Sequence, residues 1–277
     1  MSGPYPIADW DEAYANAAYI PDGAAYPKRW LERAAAFREA LTRAGRAKID
    51  LAYGPALRNR LDLFYPEGRP RGLVVFVHGG YWMAFDKSSW SHLAEGSLLQ
   101  GFAVAMPSYT LCPDARICDI AKEIAVAVEG AAKEVAGEVV LCGHSAGGHL
   151  VTRLLCRASP LGEATAARIA RTMSISGLHD LRPFLAADMN DVLRLDWEEA
   201  QAESPALLAP RPRQNVTCWV GGAERSEFLR QSRLLVEMWN SFDARMAMVV
   251  EPERHHFDVV EGLTDPGHPL TRALVGG

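Results

Sequence analysis

One stretch constrains this chain more than any other: Val139-Val140-Leu141-Cys142 runs straight into Gly143-His144-Ser145-Ala146-Gly147-Gly148-His149. The apolar run enters a G-x-S-x-G pentad. Leu150, Val151, Leu154 and Leu155 then recur at the spacing of a helix with one buried face. A strand turning sharply into a helix at a serine is a nucleophile elbow. Such a turn strains the serine backbone, and side chains at Gly143 and Gly147 would collide with the adjoining strand and helix. The helix N-terminus beside Ser145 supplies unpaired N–H groups and a positive dipole end, which favour a developing oxyanion. The bland alternative is a glycine-rich βα turn with an incidental serine, so the flanking sequence has to decide.

The flanks alternate. Asn59–Tyr65 reads as a strand ended by Pro66, and Leu73–Val77 and Phe102–Met106 are continuous apolar runs of the kind buried on both faces. Val139–Cys142, Ala170–Ser176, Asn215–Val220 and Met246–Val250 complete the strands. Helical spacing covers Lys28–Arg43, Ala115–Val135 and Ser226–Asn240. Strands alternating with helices predict an α/β fold, a mostly parallel sheet of about eight strands with an antiparallel edge. We expect one domain over residues 1–277, with an arm and helix at 1–48. A small helical cap at 178–212, where the alternation breaks, is expected to lie over Ser145. Arg29, Arg33, Arg38 and Arg43 could suggest a polyanion site, but interleaved Glu32 and Glu39 make them a solvated helix face.

Composition excludes several classes. A formal charge of −5 gives no general attraction to nucleic acid or anionic membrane. No apolar run reaches the ~18–20 residues of a membrane span. The start lacks the basic and apolar regions of a signal peptide. The five cysteines are odd in number, scattered and without a C-x-x-C pair. These features together predict a cytoplasmic protein. No H-E-x-x-H, Walker loop or dinucleotide fingerprint occurs, so no metal or cofactor is expected.

The chemistry-bearing residues follow from the elbow. His78-Gly79-Gly80-Tyr81-Trp82 directly follows the run 73–77, and its glycines let backbone N–H groups approach a ligand. The backbone of Gly80, Tyr81 and Ala146 is the expected oxyanion hole, with His78 a structural hydrogen-bonder. A serine nucleophile needs a base, and the base an orienting carboxylate. Of the late histidines, His256 precedes an apolar helix-like step in Phe257 and Val259-Val260, which favours it over His255; His268 reads as a turn residue. Glu224, just past the strand ending at Val220, is the preferred acid; Asp180 is the alternative, and Glu227 suits helix capping. Tyr81, Trp82, Tyr109 and Phe184 are the expected substrate-binding aromatics. Arg182, Arg194 and Asn190 are candidates for the substrate's polar end.

These residues together resemble the kynurenine formamidase (arylformamidase) branch of the α/β-hydrolases, near the hormone-sensitive-lipase-like esterases. The H-G-G-x-W signature stands as His78–Trp82, the G-H-S-A-G-G-H elbow as Gly143–His149, and the catalytic His-Phe step as His256-Phe257. Ser226–Ser232 is similar to the segment just after that branch's acid, which aligns the acid with Glu224, a methylene longer than the Asp associated with the position. The resemblance implies an α/β-hydrolase fold and a Ser-His-acid triad. It also implies a small-molecule substrate, an aryl formamide such as N-formylkynurenine, with a short-chain carboxylesterase as the alternative and a non-enzymatic binding protein a remote third. Aromatics near the N-terminus suggest a homodimer.

Overall fold

The strand ends explain the molecule. In the computed structural model, which describes residues 9–276, eight strands form one sheet: β1 (Ala47–Ala52), β2 (Arg60–Phe64), β3 (Gly72–Val77), β4 (Ala103–Pro107), β5 (Glu138–His144), β6 (Ile169–Ile175), β7 (Gln214–Gly221) and β8 (Ala244–Glu251). Their order is β1-β2-β4-β3-β5-β6-β7-β8. The pairs β1–β2 and β2–β4 are antiparallel, and the others are parallel. Register sets the carboxyl ends side by side, with Val77 opposite Gly143, His144 opposite Ile175 and Gly221 opposite Glu251. The loops carrying residues 78–82, Ser145, Glu224 and His256 therefore leave the sheet on one rim, where ligands bind in α/β folds.

Strand β3 shows why the sheet is buried. Leu73, Val75 and Val77 join one apolar layer while Val74 and Phe76 join the other. The first layer packs against helices Ile117–Glu134, Ala146–Arg153 and Ser226–Trp239, and the second against Tyr26–Arg43 and Pro269–Val275. The stripe Ile117, Ile120, Ile124 and Val128 is fully buried, as its spacing predicts. Among the described residues no helix is long and apolar enough to cross a membrane.

Two expectations need adjustment. Strand β1 falls partly inside the stretch assigned to the arm and helix. Its alternation is hidden because Asp50 sits at φ 57° and the pairing with β2 slips between Lys48 and Leu51. Segment 178–212 is built of short helical pieces, Arg182–Ala186, Asn190–Leu193, Trp197–Ala202 and Pro205–Leu207. Among the described residues it sends only Met189 to the cavity beside Ser145, which residues 14–17 of the N-terminal arm also line. Part of the arm, residues 1–8, lies outside the described residues, and the rest runs through helix Trp10–Tyr14 and two short turns.

Candidate active site

The elbow is tightened by sterics from three sides. Ser145 is held at φ 55°, ψ −119°, a region costly for a residue with a side chain. Its N–H donates to Ile175 O at 2.8 Å, and its carbonyl accepts the His149 N–H at 3.1 Å. A methyl at Gly147 would lie 1.9 Å from Val77 O, and one at Gly143 would lie 2.1 Å from Gly147 O. Only glycine lets β3, β5 and the elbow helix meet this closely.

The loop after β3 lies directly against that serine, since a methyl on Gly79 would come within 2.9 Å of Ser145 Cβ. Gly80, Tyr81 and Trp82 follow at φ 112°, 49° and 56°. This run of left-handed residues turns successive N–H groups to one side. Among the described residues, the N–H groups of Gly80, Tyr81 and Ala146 find no acceptor. Three donors thus remain beside the serine. His78 is structural, as expected: its ring stacks on Tyr109 at 4.3 Å and Nδ1 bonds the Gly79 carbonyl. Burial lowers its pKa to about 4, so it stays neutral.

His256 and Glu224 meet. Nδ1 of His256 lies 2.6 Å from Glu224 Oε2, with both side chains almost wholly buried. The other carboxylate oxygen accepts the Gly221 N–H at 2.8 Å and the Ser176 hydroxyl at 2.5 Å. Such charge-assisted bonds fix both the carboxylate and the imidazole tautomer. His255 is spent elsewhere: Nδ1 faces the Phe257 and Asp258 N–H groups, and Nε2 the Tyr26 hydroxyl. His268 caps helix Pro269–Val275. Asp180 is held in a bidentate pair by Arg182, and Glu227 is buried against Arg230 and Tyr14. Ser145 and His256 thus line one cavity, Glu224 is bonded to the His256 ring, and Asp180 is paired elsewhere. It also adds two groups that sequence reasoning missed. Ser176, at the end of β6, holds the acid. His144, inside the elbow, bonds the His256 carbonyl at 3.0 Å and lies ring to ring with it at 4.6 Å. Its place at the mouth of β5 was the available signal.

A cavity of about 330 Å³ opens beside Ser145. Trp30, Ala84, Phe85, Trp90 and Phe257 give it an apolar interior, and Tyr14, Ala15, Asn16 and Ala17 form an outer wall. From 178–212, Met189 alone among the described residues reaches it. The strap 14–17 is tied down through Tyr81, whose hydroxyl donates to Tyr14 O at 2.7 Å and accepts from Asn16 Nδ2 at 3.1 Å. Burial first, and Glu224 second, push the Tyr81 phenol above its usual pKa, so it remains a donor. Tyr14 itself anchors to Glu227 at 3.0 Å and Gln231 at 2.9 Å.

Of the expected substrate-binding aromatics, Tyr81 alone lines the cavity. Trp82, Tyr109 and Phe184 are fully buried core residues whose polar or flat faces are satisfied internally. Trp82 donates to His149, Tyr109 donates to the His78 carbonyl, and Phe184 stacks beneath Tyr14 at 4.4 Å. Among the polar-end candidates, Arg182 is paired with Asp180 and Asn190 closes its own turn on Leu195.

Comparison with known proteins agrees with this fold. The chain is 27% identical over 238 residues to a kynurenine formamidase of Danio rerio, covering 82% of this chain and 80% of that one. It is 25% identical over 254 residues to the Drosophila melanogaster kynurenine formamidase, covering 86% and 83%. Among solved structures, a "putative thioesterase" from Silicibacter sp. TM1040 superposes with a TM-score of 0.90 at 53% identity, over 96% of this chain and 98% of that one. Esterase B from Lactobacillus rhamnosis, at 18% identity and a TM-score of 0.66 over 91% of each chain, shares the fold. The alpha/beta hydrolase family pattern matches residues 74–275. With its sheet order, elbow and strand-end loops in that arrangement, the chain is a hydrolase that belongs to the alpha/beta hydrolase family.

Proposed function

We propose that the protein is a serine hydrolase of small acyl amides or esters, and more narrowly an aryl formamidase with N-formylkynurenine as the reference substrate. The observation that carries the reading is the His256–Glu224 bond at 2.6 Å beside a strained Ser145. Ser145 Oγ attacks the acyl carbon while His256 Nε2 takes its proton; Glu224 holds the imidazole and stabilises the imidazolium. The N–H groups of Gly80, Tyr81 and Ala146 receive the oxyanion, and each such donor contributes about 10²–10³ in rate. Collapse of the tetrahedral adduct breaks the C–N or C–O bond as His256 protonates the leaving atom. Water, deprotonated by the same imidazole, then releases the acyl group from the serine. A formyl group needs little acyl space, and an arylamine leaves more readily than an alkylamine. The formamidase relatives along most of the chain support this choice.

A short-chain carboxylesterase is the second reading. It is favoured by the 53% identity to a protein described as a "putative thioesterase". The deciding experiment compares kcat/KM for N-formylkynurenine and phenyl acetate. A formamide value within a few hundredfold of the ester supports the formamidase reading, and one many orders lower leaves the esterase. Labelling by a fluorophosphonate tests the hydrolase reading itself: an unreactive Ser145 would reject it.

A further inference from the structure

The cavity beside Ser145 has no charged wall. Among the described residues, no Asp, Glu, Lys or Arg lines it. Apart from that of Ser145, its hydroxyls are already committed. Tyr14 donates to Glu227 and accepts from Gln231, while Tyr81 bridges Tyr14 O and Asn16. Asn16 also lines the cavity, and with its Nδ2 spent on Tyr81 its remaining polar atom, Oδ1, is an uncharged acceptor. The nearby charges are turned elsewhere. Arg225 is held by Glu12 and lies over the Tyr19 ring, Arg182 is held by Asp180, and the Glu224 carboxylate is buried on His256.

Building on the hydrolase reading above, we propose that the cavity selects neutral substrates: aryl esters or aryl formamides whose entering part bears no ionised group. An ammonium or carboxylate moved into this space loses its hydration and meets no counter-charge, whereas a neutral ring gains apolar contact with Trp30, Phe85 and Trp90. N-formylkynurenine must therefore leave its amino-acid end outside the wall. On this proposal its neutral core, 2′-formamidoacetophenone, lies inside.

The test uses two substrate pairs, each rate normalised to that of hydroxide-catalysed hydrolysis. One pair is 2′-formamidoacetophenone and N-formylkynurenine, and the other is phenyl acetate and 4-acetoxybenzoate. The neutral member is expected to lead in kcat/KM by at least about tenfold in each pair that turns over. Equal values, or a lead by the charged member, overturn the proposal. Inert formamides with a tenfold lead for phenyl acetate would sink the formamidase reading and leave the neutrality of the site standing. Met189→Lys, or Ala17→Lys where the first does not fold, puts a cation on the wall. Either is expected to shift the ester pair about tenfold toward 4-acetoxybenzoate. A folded variant with an unchanged ratio counts against the proposal.

Discussion

The floor and the roof of this cavity are built on different principles. The floor, Ser145 with the loop 78–82, is fixed by backbone meeting backbone, with Gly143 and Gly147 filling gaps that admit no methyl. The roof, residues 14–17, hangs on a few hydrogen bonds through Tyr81, Asn16 and Tyr14. A typical hydrogen bond contributes about 1 kcal/mol net, whereas a steric conflict in a packed core has no small adjustment available. The floor therefore tolerates no approximation. The roof can be weakened and still close.

Substitutions should separate the two. Ser145→Ala is expected to remove about 10⁶ of the rate, and His256→Ala added to it almost nothing more, in steady-state assays of phenyl acetate. Independent effects of the two would break the idea of a single working unit. Gly147→Ala should destabilise the fold by more than about 4 kcal/mol, or prevent it, because its methyl meets Val77 O. Near-normal urea unfolding would show that the floor can yield. Glu224→Gln should lower kcat by about 10⁴ through loss of the imidazole tautomer, and Asp180→Asn should act on stability through its Arg182 pair. The reverse ranking would reassign the acid.

Acid should also weaken the floor. His149 is fully buried beneath Trp82, and burial lowers its pKa to about 3; His144, buried beside His256, is lowered in the same direction. In the unfolded chain both take a proton near pH 6.5, so below that pH the unfolded state binds more protons than the folded one. Through His149 stability then falls with pH from about 6.5 toward 3, at up to about 1.4 kcal/mol per pH unit, and His144 adds to the loss in the same direction. Urea midpoints at pH 7 and pH 5 measure this, and a flat profile would mean that both rings are protonated in the fold. The smallest effect belongs to the roof. Tyr81→Phe removes the bridging hydroxyl and leaves Asn16 and the Tyr14 carbonyl short of a partner, about 1–3 kcal/mol. It should raise KM severalfold with kcat little changed; an equal loss in kcat would tie the roof to the oxyanion loop.

The same division governs what the sequence discloses. The elbow, the Gly79-Gly80 loop and the His256-Phe257 step are local, because tight backbone turns demand particular residues at fixed spacing. Strand β2 also announces itself through alternation, and the parallel strands through apolar runs. The strap does not. Ala15-Asn16-Ala17 has neither period nor motif, and its place depends on Tyr81, Glu227 and Gln231, distant in sequence. The aromatics misled for a related reason. Trp82, Tyr109 and Phe184 sit in or beside loops of the right rim, but composition cannot tell a ring facing a ligand from one packed behind it. Likewise Asp50, at φ 57°, conceals β1 by breaking the alternation that would reveal it.

The anchor of Tyr14 on Glu227 spans 213 residues. On a ribosome adding about 5–20 residues per second, the strap waits roughly 10–40 s for the helix that receives it. His256 emerges later still. On the mechanism proposed above, a nascent chain carries Ser145 for some time with neither base nor roof, and the nucleophile becomes reactive only after the last strand has emerged. Synthesis itself withholds the activity until the cavity that disciplines it can form.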